Sequence, residues 1–420
     1  MPQPRVVITG IGVVSPFGVG RRLFWDSICN GVSGTRAITQ FDSSQMTCRV
    51  AANVPDEALD AADADLKAAE DTPASDRSDP RRYAKVSRIA VMAAREALRD
   101  SGVDPATPDL GVIVGSGAGG IDVAERQYAD FHSGDWHKVS PYAIPVSIVG
   151  IVSSEISIAL GLRGISHVLS TGCTSSTDAI GYAASLIRHG EVEAVITGGA
   201  DACVTPGMIV GFTRMRVVAT RFNDTPEAAS RPFECDRDGF VLGEGAWMLV
   251  LEREDRARER GARIYARIDG YASTCDAYHR VQMDPDGTEI VRAMQLAVCR
   301  ARLPLEAIGY VSFHGTSTML NDAVEARCVR RLFGSSRLAG SSIKSMIGHP
   351  QGASGAAGVV ATALALSNGI LPPTINMTRQ DPDCDLDVIP NHARRAQVEA
   401  ALCNCLGFGS KNSALLLTRA

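Results

Sequence analysis

Residues 165–187 read ISHVLSTGCTSSTDAIGYAASLI, in which a short polar turn separates an apolar run from a helix-like stretch. The run at 165–169 is typical of a buried strand, and the spacing at 178–187 is that of an amphipathic helix. Cys173 therefore falls on a strand-to-helix turn beside a helix N-terminus. Unpaired backbone N–H groups and the positive end of the helix dipole favour a thiolate there. The pattern predicts that Cys173 is a nucleophile.

Strands and helices alternate on both sides of this turn. Apolar strands are predicted at 5–11, 110–114, 194–197, 246–251, 264–271 and 413–417, and helices at 21–28, 84–99, 253–260 and 352–366. The order of elements begins again near residue 264. We therefore expect two halves, 1–260 and 261–420, in a layered α/β fold with mostly parallel sheets. An acidic segment near 55–79 is predicted to be an exposed insertion with some helix.

The composition excludes several classes of protein. With 45% hydrophobic residues, 40 glycines and 21% charged residues, the chain of 420 residues is typical of a compact α/β protein. Its net charge of -5 and the absence of a basic stripe argue against nucleic acid as a partner. No apolar run reaches the roughly 20 residues that cross a bilayer, and no signal peptide is recognisable. Eleven cysteines without repeated spacing indicate a reducing compartment, so we expect a cytoplasmic protein without membrane contact.

Three further segments place polar groups in apolar, glycine-rich surroundings. His314 ends a strand in VSFHGTST, Lys344 and His349 share SSIKSMIGH, and Phe408 stands in the glycine loop LGFGSKN. A cysteine that forms thioesters requires a pair of donors for an oxyanion, and chemistry on a second carbonyl requires neutral donors for an enolate. Together these segments supply candidates for both tasks.

Other uses of these residues fit less well. The glycines at 115–120 follow a strand but match the dinucleotide-binding pattern only loosely, and no ribose-binding acid follows. Zinc takes four ligands, and neither H-E-x-x-H nor paired C-x-x-C accompanies the histidines, so no metal is predicted. A cysteine hydrolase needs one histidine, which would leave the second histidine and Lys344 unexplained.

The chain resembles the β-ketoacyl-acyl carrier protein synthases of the thiolase-like condensing-enzyme superfamily. The elongating synthase II type and the ketosynthase subunit of type II polyketide synthases are the most similar. The resemblance rests on VVITGIGVVSP at 6–16, the cysteine turn, SRPFECDRDGFVLGEG at 230–245, HGTST at 314–318, SSIKSMIGH at 341–349 and GFG at 407–409. It implies a thiolase-like layered fold of two similar halves, with mixed, mostly parallel sheets sandwiching helices.

The resemblance also implies roles for individual residues. Cys173 matches the acyl-accepting nucleophile, and His314 and His349 match the pair that holds the malonyl thioester carbonyl and assists decarboxylation. Lys344 matches a lysine that supports the histidines, and Glu325 aligns with its acidic partner. The backbone N–H of Phe408, the gating aromatic, would form the oxyanion hole with that of Cys173. The implied substrate-binding residues are Thr316 and Thr318 in the pantetheine tunnel, Gly407 and Gly409 in the gate loop, and Phe212 and Ala118.

Some positions carry finer expectations. Ala118 stands where the synthase II type usually has a larger aliphatic residue, so a longer or bulkier acyl chain is expected to fit. Ser410 and Lys411 depart from the glycine-rich sequence that commonly follows the gate. The resemblance places the docking surface for an acidic acyl carrier protein at basic clusters formed by Arg81, Arg82, Arg214 and Arg216.

The implied reaction is a decarboxylative condensation of an acyl group on Cys173 with malonyl-acyl carrier protein. It requires no bound cofactor, since 4'-phosphopantetheine is carried by the partner. The chain would act as a homodimer or with a chain-length-factor subunit, in fatty acid or polyketide elongation. Two alternatives are a non-catalytic partner subunit, which usually lacks the cysteine, and a thiolase, which needs a second cysteine motif that Cys403 and Cys405 do not match.

Overall fold

The computed structural model describes residues 4–69, 83–334 and 338–420. Its strands are β1 (Val6–Ser15), β2 (Gly18–Val19), β3 (Arg36–Ala37), β4 (Val50–Ala51), β5 (Gly111–Gly115), β6 (Ser166–Leu169), β7 (Ala194–Ala202), β8 (Glu244–Arg253), β9 (Ala266–Cys275), β10 (Ile308–Ser312), β11 (Ala339–Ser341), β12 (Ile370–Leu371), β13 (Arg394–Arg395), β14 (Ala400–Gly407) and β15 (Lys411–Thr418). Its helices are α1 (Arg21–Cys29), α2 (Asp56–Ala69), α3 (Lys85–Ser101), α4 (Ile121–His132), α5 (Ala143–Ser147), α6 (Ile151–Leu160), α7 (Ser175–His189), α8 (Pro206–Arg214), α9 (Glu254–Glu259), α10 (Thr288–Ala301), α11 (Met319–Phe333), α12 (Lys344–Ile347) and α13 (Ser354–Asn368).

The main sheet is continuous across the molecule in the order β11-β10-β14-β15-β9-β1-β8-β7-β5-β6. A layered α/β fold with a mixed sheet is therefore confirmed. The expectation of mostly parallel strands is wrong: pairing is antiparallel from β14–β15 through β8–β7 and, in the part of the chain that the structure describes, parallel only towards the two ends. Hydrophobic periodicity does not report strand direction, whereas a short hairpin such as β14–β15 can join only antiparallel neighbours.

Two helices lie where strands from both ends of the sheet can reach them. Helix α7 packs on β5 and β7 and also contacts β9 and β15, and α13 contacts β7, β8 and β14. The two helices approach closely, because a Cβ on Gly355 would lie 1.9 Å from the Thr177 hydroxyl oxygen. Cys173 stands just before α7 and His349 just before α13. Packing of these helix starts therefore brings the two residues together.

The acidic insertion is helical where the structure describes it. Helix α2 carries Asp60 and Asp63, which pair with Arg88 on α3 at 2.7 and 2.6 Å. The remainder of the predicted segment, residues 70–79, lies outside the described residues. Within the described ranges, every helix is too short or too polar to cross a membrane.

Candidate active site

Cys173 is buried in a 3-10 turn, Gly172–Thr174, between β6 and α7. Gly172 has a φ of +70°, a left-handed conformation that glycine adopts without cost. The hydroxyls of Thr171 and Thr174 donate to one carboxylate oxygen of Asp178, at 2.6 and 2.9 Å. Helix α7 begins at Ser175, three residues before the predicted start at 178, so the predicted position of Cys173 beside a helix N-terminus is confirmed.

The expected preference of Cys173 for the thiolate is wrong. Burial raises the pKa of the thiol to about 11, although the backbone N–H of Phe408, the charge of Lys344 and the backbone N–H of Cys173 itself oppose the rise. Desolvation penalises the charged sulfur more than the helix start and these donors favour it. At pH 7 Cys173 is a neutral thiol, which would have to lose its proton in order to act as the predicted nucleophile.

His349 is positioned to receive that proton. Its Nε2 lies 3.2 Å from Cys173 Sγ, and its Nδ1 lies 2.7 Å from the hydroxyl of Ser354. The ring of Phe240 packs edge-on against the imidazole, with centroids 5.3 Å apart. Burial, together with the nearby charge of Lys344, holds the pKa of His349 well below its usual range, so the imidazole is neutral at pH 7.

Sequence reasoning did not single out Ser354 or Phe240. Phe240 lies inside the quoted motif at 230–245, and Ser354 follows His349 by five residues. The motif could have marked Phe240 as a residue near the site. Only the fold shows that each side chain contacts the imidazole. His349 N–H donates to the carbonyl of Val241 at 2.7 Å, next to Phe240, and the turn Gln351–Ala353 leads back to Ser354.

His314 follows β10 and faces His349 with its ring nearly perpendicular, at 87° and 5.3 Å between centroids. Burial lowers its pKa well below the usual range, and the charge of Lys344 adds to the effect. The ligand atoms of Cys173, His314 and His349 all lie within 4.8 Å of one another. The structure thus places the predicted nucleophile and both predicted histidines in one buried cluster.

Lys344 and Glu325 lie in the same buried region and interact through their charges. Burial lowers the pKa of Lys344, and the negative charge available at Glu325 opposes that change. The Glu325 carboxylate itself accepts the backbone N–H groups of His314 and Gly315, at 2.8 Å each. Burial raises the pKa of Glu325 to about 7. In this structure Glu325 therefore holds the backbone at His314 as well as influencing the lysine.

Cys405, on β14, is a second buried thiol at the site. Its sulfur donates to the backbone carbonyl of Cys173 at 3.0 Å and lies 3.7 Å from Nδ1 of His314. From the sequence, Cys405 was considered only as a thiolase cysteine, and its surroundings do not match that motif. Its contacts join the turn of the nucleophile to the imidazole of His314.

A cavity of about 260 Å³ opens onto the cluster. The predicted residues that line it are Cys173, His314, Thr316, Thr318, His349, Gly407 and Phe408. The hydroxyls of Thr316 and Thr318 lie 2.9 Å apart. Other lining residues were not predicted, among them Met215, Leu320 and the segment 281–283. These residues make the cavity mostly apolar around a polar floor.

Comparisons with known proteins identify the family of this chain. Residues 3–257 match the family model of the β-ketoacyl synthase N-terminal domain, and residues 265–378 match that of the C-terminal domain. The chain belongs to the β-ketoacyl synthase family. It is therefore a condensing enzyme of the acyltransferase type. Members of this family need no cofactor of their own, because the phosphopantetheine is carried by the acyl carrier protein.

Relatives of this β-ketoacyl synthase come from two kinds of pathway. It is 40% identical to the 3-oxoacyl-acyl-carrier-protein synthase 2 of Coxiella burnetii, over 100% of this chain and 99% of the relative. It is 38% identical to the tetracenomycin polyketide synthase ketoacyl synthase alpha subunit of Streptomyces glaucescens, over 99% of this chain and 97% of the relative.

Solved structures of the same fold include two ketosynthases. The ishigamide ketosynthase/chain length factor superposes with a TM-score of 0.89 at 33% identity, over 100% of both chains. The AntDE ketosynthase, solved with the acyl-carrier protein AntF, gives a TM-score of 0.85 at 29% identity, again over 100% of both chains. The thiolase-like ketosynthase fold expected from the sequence is thereby confirmed.

Several residues predicted for this β-ketoacyl synthase lie apart from the 260 Å³ cavity. Ala118 and Phe212 pack in a shared hydrophobic cluster, and the Phe212 ring meets Phe240 edge-on at 5.2 Å. Both residues therefore belong to the hydrophobic packing around Phe240, and neither lines the cavity. Gly409 is not among the residues that line the cavity, and its N–H donates to the carbonyl of Arg280 at 2.9 Å.

The predicted docking arginines divide into two groups. Arg214, at the end of α8, and Arg216 are both exposed, and Met215 between them lines the cavity. Arg81 and Arg82 lie outside the described residues. The role of all four arginines in carrier-protein docking stays a prediction. The division of the chain into two halves at residue 260 also stays a prediction.

The catalytic cluster also has ligand atoms that zinc accepts, namely a thiol sulfur and two imidazole nitrogens within 4.8 Å. The charge of Lys344 lies close enough to lower the pKa of both histidines, and the same charge disfavours a cation between them. The arrangement suits neutral imidazoles that donate hydrogen bonds. That no metal takes part stays a prediction.

Proposed function

We propose that this chain condenses an acyl group held on Cys173 with malonyl-acyl carrier protein to give a β-ketoacyl-acyl carrier protein. The observation that carries the proposal is the cluster of one thiol and two imidazoles within 4.8 Å, at the floor of a 260 Å³ cavity. Burial keeps both imidazoles neutral, and neutral imidazoles can donate to a carbonyl oxygen. The names of the relatives support the same reaction.

In the first half-reaction, the Cys173 sulfur attacks the carbonyl carbon of an acyl thioester on a carrier-protein phosphopantetheine. The thiol proton passes to Nε2 of His349, 3.2 Å from the sulfur. The N–H groups of Cys173 and Phe408, which point at this sulfur, then stabilise the oxyanion. Collapse of the tetrahedral intermediate breaks the bond to the phosphopantetheine sulfur, which leaves with the proton from His349.

In the second half-reaction, the malonyl thioester carbonyl accepts hydrogen bonds from ring N–H groups of His314 and His349. The neutral ring of His349 then carries its proton on Nε2, and its Nδ1 accepts a hydrogen bond from the Ser354 hydroxyl. Loss of the malonyl carboxylate as carbon dioxide leaves its bonding electrons in an enolate, whose oxygen these donors stabilise. The enolate carbon attacks the carbonyl of the Cys173 thioester and forms the new carbon–carbon bond. Cys173 leaves as a thiolate and regains a proton from solvent.

The cavity entrance supports docking of a carrier protein. Thr316 and Thr318 line the cavity and offer hydroxyls to the amides of a pantetheine arm. Arg214 and Arg216 are exposed and are the sequence neighbours of Met215, which lines the cavity. The AntDE ketosynthase is solved with an acyl-carrier protein, which supports a similar partner here. An acidic carrier protein would be drawn to these arginines at low ionic strength.

The edge of the sheet supports a dimer. Strand β6 ends the sheet with exposed residues, and unpaired strand edges are sites of association. Large apolar side chains are exposed on the neighbouring helical segment, including Tyr128, Phe131, Trp136 and Ile144. A second copy of this chain and a chain-length-factor subunit are both compatible with this surface. All eleven cysteines are free thiols in the described part of the chain, and we place the reaction in the cytoplasm.

The test of the proposal is intact-mass analysis after incubation with acyl carrier protein thioesters of graded chain length. We expect the mass of one acyl group on the native chain and none on Cys173→Ala. Cys299→Ala removes an exposed cysteine elsewhere and should be acylated like the native chain. Acylation that persists in Cys173→Ala would reject the mechanism. Co-purification of a related chain without the cysteine would assign the polyketide heterodimer instead of the homodimer.

A further inference from the structure

The turn that carries Phe408 lies against a second surface loop. Strands β14 and β15 pair up to Gly407 and Lys411, which leaves Phe408, Gly409 and Ser410 as the connecting residues, here called the gate turn. Strand β9 pairs with β15 so that Cys275 lies opposite Lys411. The chain that leaves β9, residues 276–283, therefore runs beside the gate turn. We call it the entrance loop.

The Ser410 side chain makes most of the contact between these two segments. Its hydroxyl oxygen accepts the backbone N–H groups of Tyr278 and His279, at 3.2 and 3.1 Å, and donates to the carbonyl of His279 at 2.9 Å. Backbone bonds reinforce the contact: Asp276 N–H donates to the Ser410 carbonyl at 2.8 Å, and Gly409 N–H donates to the Arg280 carbonyl at 2.9 Å. The hydroxyl of Ser410 is thus engaged on both its donor and its acceptor side.

Ser410 holds this position in an unfavourable backbone conformation. Its φ is +63°, in the left-handed region that glycine adopts freely and serine avoids. The glycine-rich sequence that commonly follows the gate in the family would remove this strain. It would also remove the hydroxyl, and with it the three side-chain bonds. The strain at Ser410 is therefore offset by contacts to the entrance loop that a glycine could not make.

The entrance loop also forms part of the cavity. Val281, Gln282 and Met283 line the cavity together with Phe408. The loop is folded on itself, because Nδ1 of His279 accepts the backbone N–H groups of Val281 and Gln282 at 3.1 and 3.0 Å. One wall of the cavity is thus made of two segments that Ser410 fastens together.

We propose that the Ser410 hydroxyl is a latch that holds the gate turn closed against the entrance loop, so that Phe408 moves only when these bonds open. The gating role of Phe408 rests on the proposed function, whereas the latch itself is a property of the two segments. Ser410 is a positioning residue, since it acts through Phe408 and touches no reacting atom. A closed gate keeps water from the Cys173 thioester and restricts entry of the second substrate.

Two substitutions separate the hydrogen bonds from the backbone strain. Ser410→Gly removes both the bonds and the strain, and Ser410→Ala removes the bonds but keeps the strain. Lys411→Ala changes the same hairpin one residue further on, where the side chain makes none of the bonds to the entrance loop. Ser410→Gly also guards against a variant that fails to fold, because glycine suits a positive φ.

Hydrogen exchange by mass spectrometry on the full-length protein tests the latch directly. We expect the amides of the entrance loop to exchange roughly tenfold faster in both Ser410 variants, because two of its N–H groups lose their acceptor. Lys411→Ala should exchange like the native chain. An unchanged exchange rate over 276–283 in Ser410→Gly would overturn the latch.

The consequence for the gate is measured on the acylated protein without malonyl substrate. We expect the Cys173 thioester to hydrolyse about three- to tenfold faster in both Ser410 variants, with Lys411→Ala as the unchanged control. Faster exchange with unchanged hydrolysis would show that Ser410 fastens the loop without controlling Phe408, and the gating claim would fail. Absence of acylation in every variant would reject the proposed function, while the exchange data would still decide the latch.

Discussion

The turn after β6 and the turn after β10 reach the same cavity, but they are held in opposite ways. At the first turn, side chains do the holding: the hydroxyls of Thr171 and Thr174 donate to Asp178 at 2.6 and 2.9 Å. The backbone N–H of Cys173 remains directed at its own sulfur. This turn therefore presents a backbone donor to the place where an acyl oxyanion forms.

At the second turn, carboxylates bind the backbone N–H groups, and the side chain of His314 faces the cavity. The N–H groups of His314 and Gly315 donate to the two oxygens of Glu325 at 2.8 Å each, and Thr316 N–H donates to Asp322 at 3.0 Å. Because these N–H groups are engaged, the imidazole of His314 is the donor that faces the cavity. The two turns differ in which groups their buried carboxylates bind, and therefore in which group is left free to face the cavity. In the proposed mechanism, this difference assigns the first turn to acylation and the second turn to decarboxylation.

Replacement of the imidazole at the second turn should have the largest effect, because it should slow one half-reaction and leave the other nearly unchanged. We expect His314→Ala to slow malonyl decarboxylation by about 100- to 1,000-fold, the usual cost of one donor in such a site, and to leave the rate of Cys173 acylation nearly unchanged. The measurements are carbon dioxide release and intact mass. His189→Ala, at the exposed end of α7, is the matched control. A parallel loss of both rates would show that the two turns do not divide the reaction.

Replacement of the carboxyl group that holds the second turn should have the next largest effect, which is seen in the pH dependence of stability. Burial raises the pKa of Glu325 from an ordinary 4.5 to about 7, so the folded chain binds this proton more tightly than the unfolded chain. The stabilisation that the folded chain gains by binding this proton is fully present below pH 4.5 and is lost as the pH rises to about 7. Ionisation of Glu325 therefore lowers the free energy of unfolding by roughly 3 kcal/mol between pH 4.5 and about 7.

Glu325→Gln should abolish that part of the slope, because glutamine does not titrate. The measurement is denaturant unfolding at several pH values between 4.5 and 7.5, with Glu259→Gln on the exposed surface of α9 as the control. An identical slope in native protein and Glu325→Gln would mean that Glu325 is ionised throughout. The second turn would then be held by a permanent charge, and its contrast with the first turn would be electrostatic as well as geometric.

Both turns could be predicted from local sequence, and their roles could be inferred from the family resemblance. The apolar run, the polar turn and the helical spacing at 165–187 place Cys173 correctly, because each signal depends on neighbouring residues alone. The predicted burial of the run is wrong, because β6 is the edge strand of the sheet and Ser166 and His167 are exposed. The motifs around His314 and His349 likewise end at the observed cavity. Strand direction was not predictable in this way, since β1 pairs with strands that lie more than 200 residues away in the chain.

The properties that depend on burial and packing could not be predicted from the sequence either. The helix start at Cys173 favours a thiolate, but the depth of the site raises the thiol pKa to about 11. Ser354 and Cys405 contact the catalytic groups only because α13 and β14 pack there. The contacts of Ser410 with the entrance loop required the pairing of β9 with β15. A sequence motif names the chemical groups, whereas their protonation and their partners follow from packing.

The turn after β5 extends the comparison to a third strand end. The Asp201 carboxylate accepts the N–H groups of Gly117 and Ala118, and also that of Gly352 just beyond His349. The backbone is therefore engaged, as it is at His314, and the small side chain of Ala118 is what this turn presents. Ala118, like Phe212, packs against the hydrophobic cluster that contains Phe240.

Enlargement of the Ala118 side chain should have the smallest energetic effect of the three changes, and it tests what the turn after β5 does. If Ala118 borders the acyl chain, Ala118→Ile narrows the space available to that chain and disfavours long chains over short ones by about 1–3 kcal/mol, or roughly 10- to 200-fold in specificity. Intact-mass analysis with acyl carrier proteins of graded length measures this preference, with Ala106→Ile in an exposed loop as the control. An unchanged length profile would show that the turn after β5 is a structural support and that the acyl chain lies elsewhere.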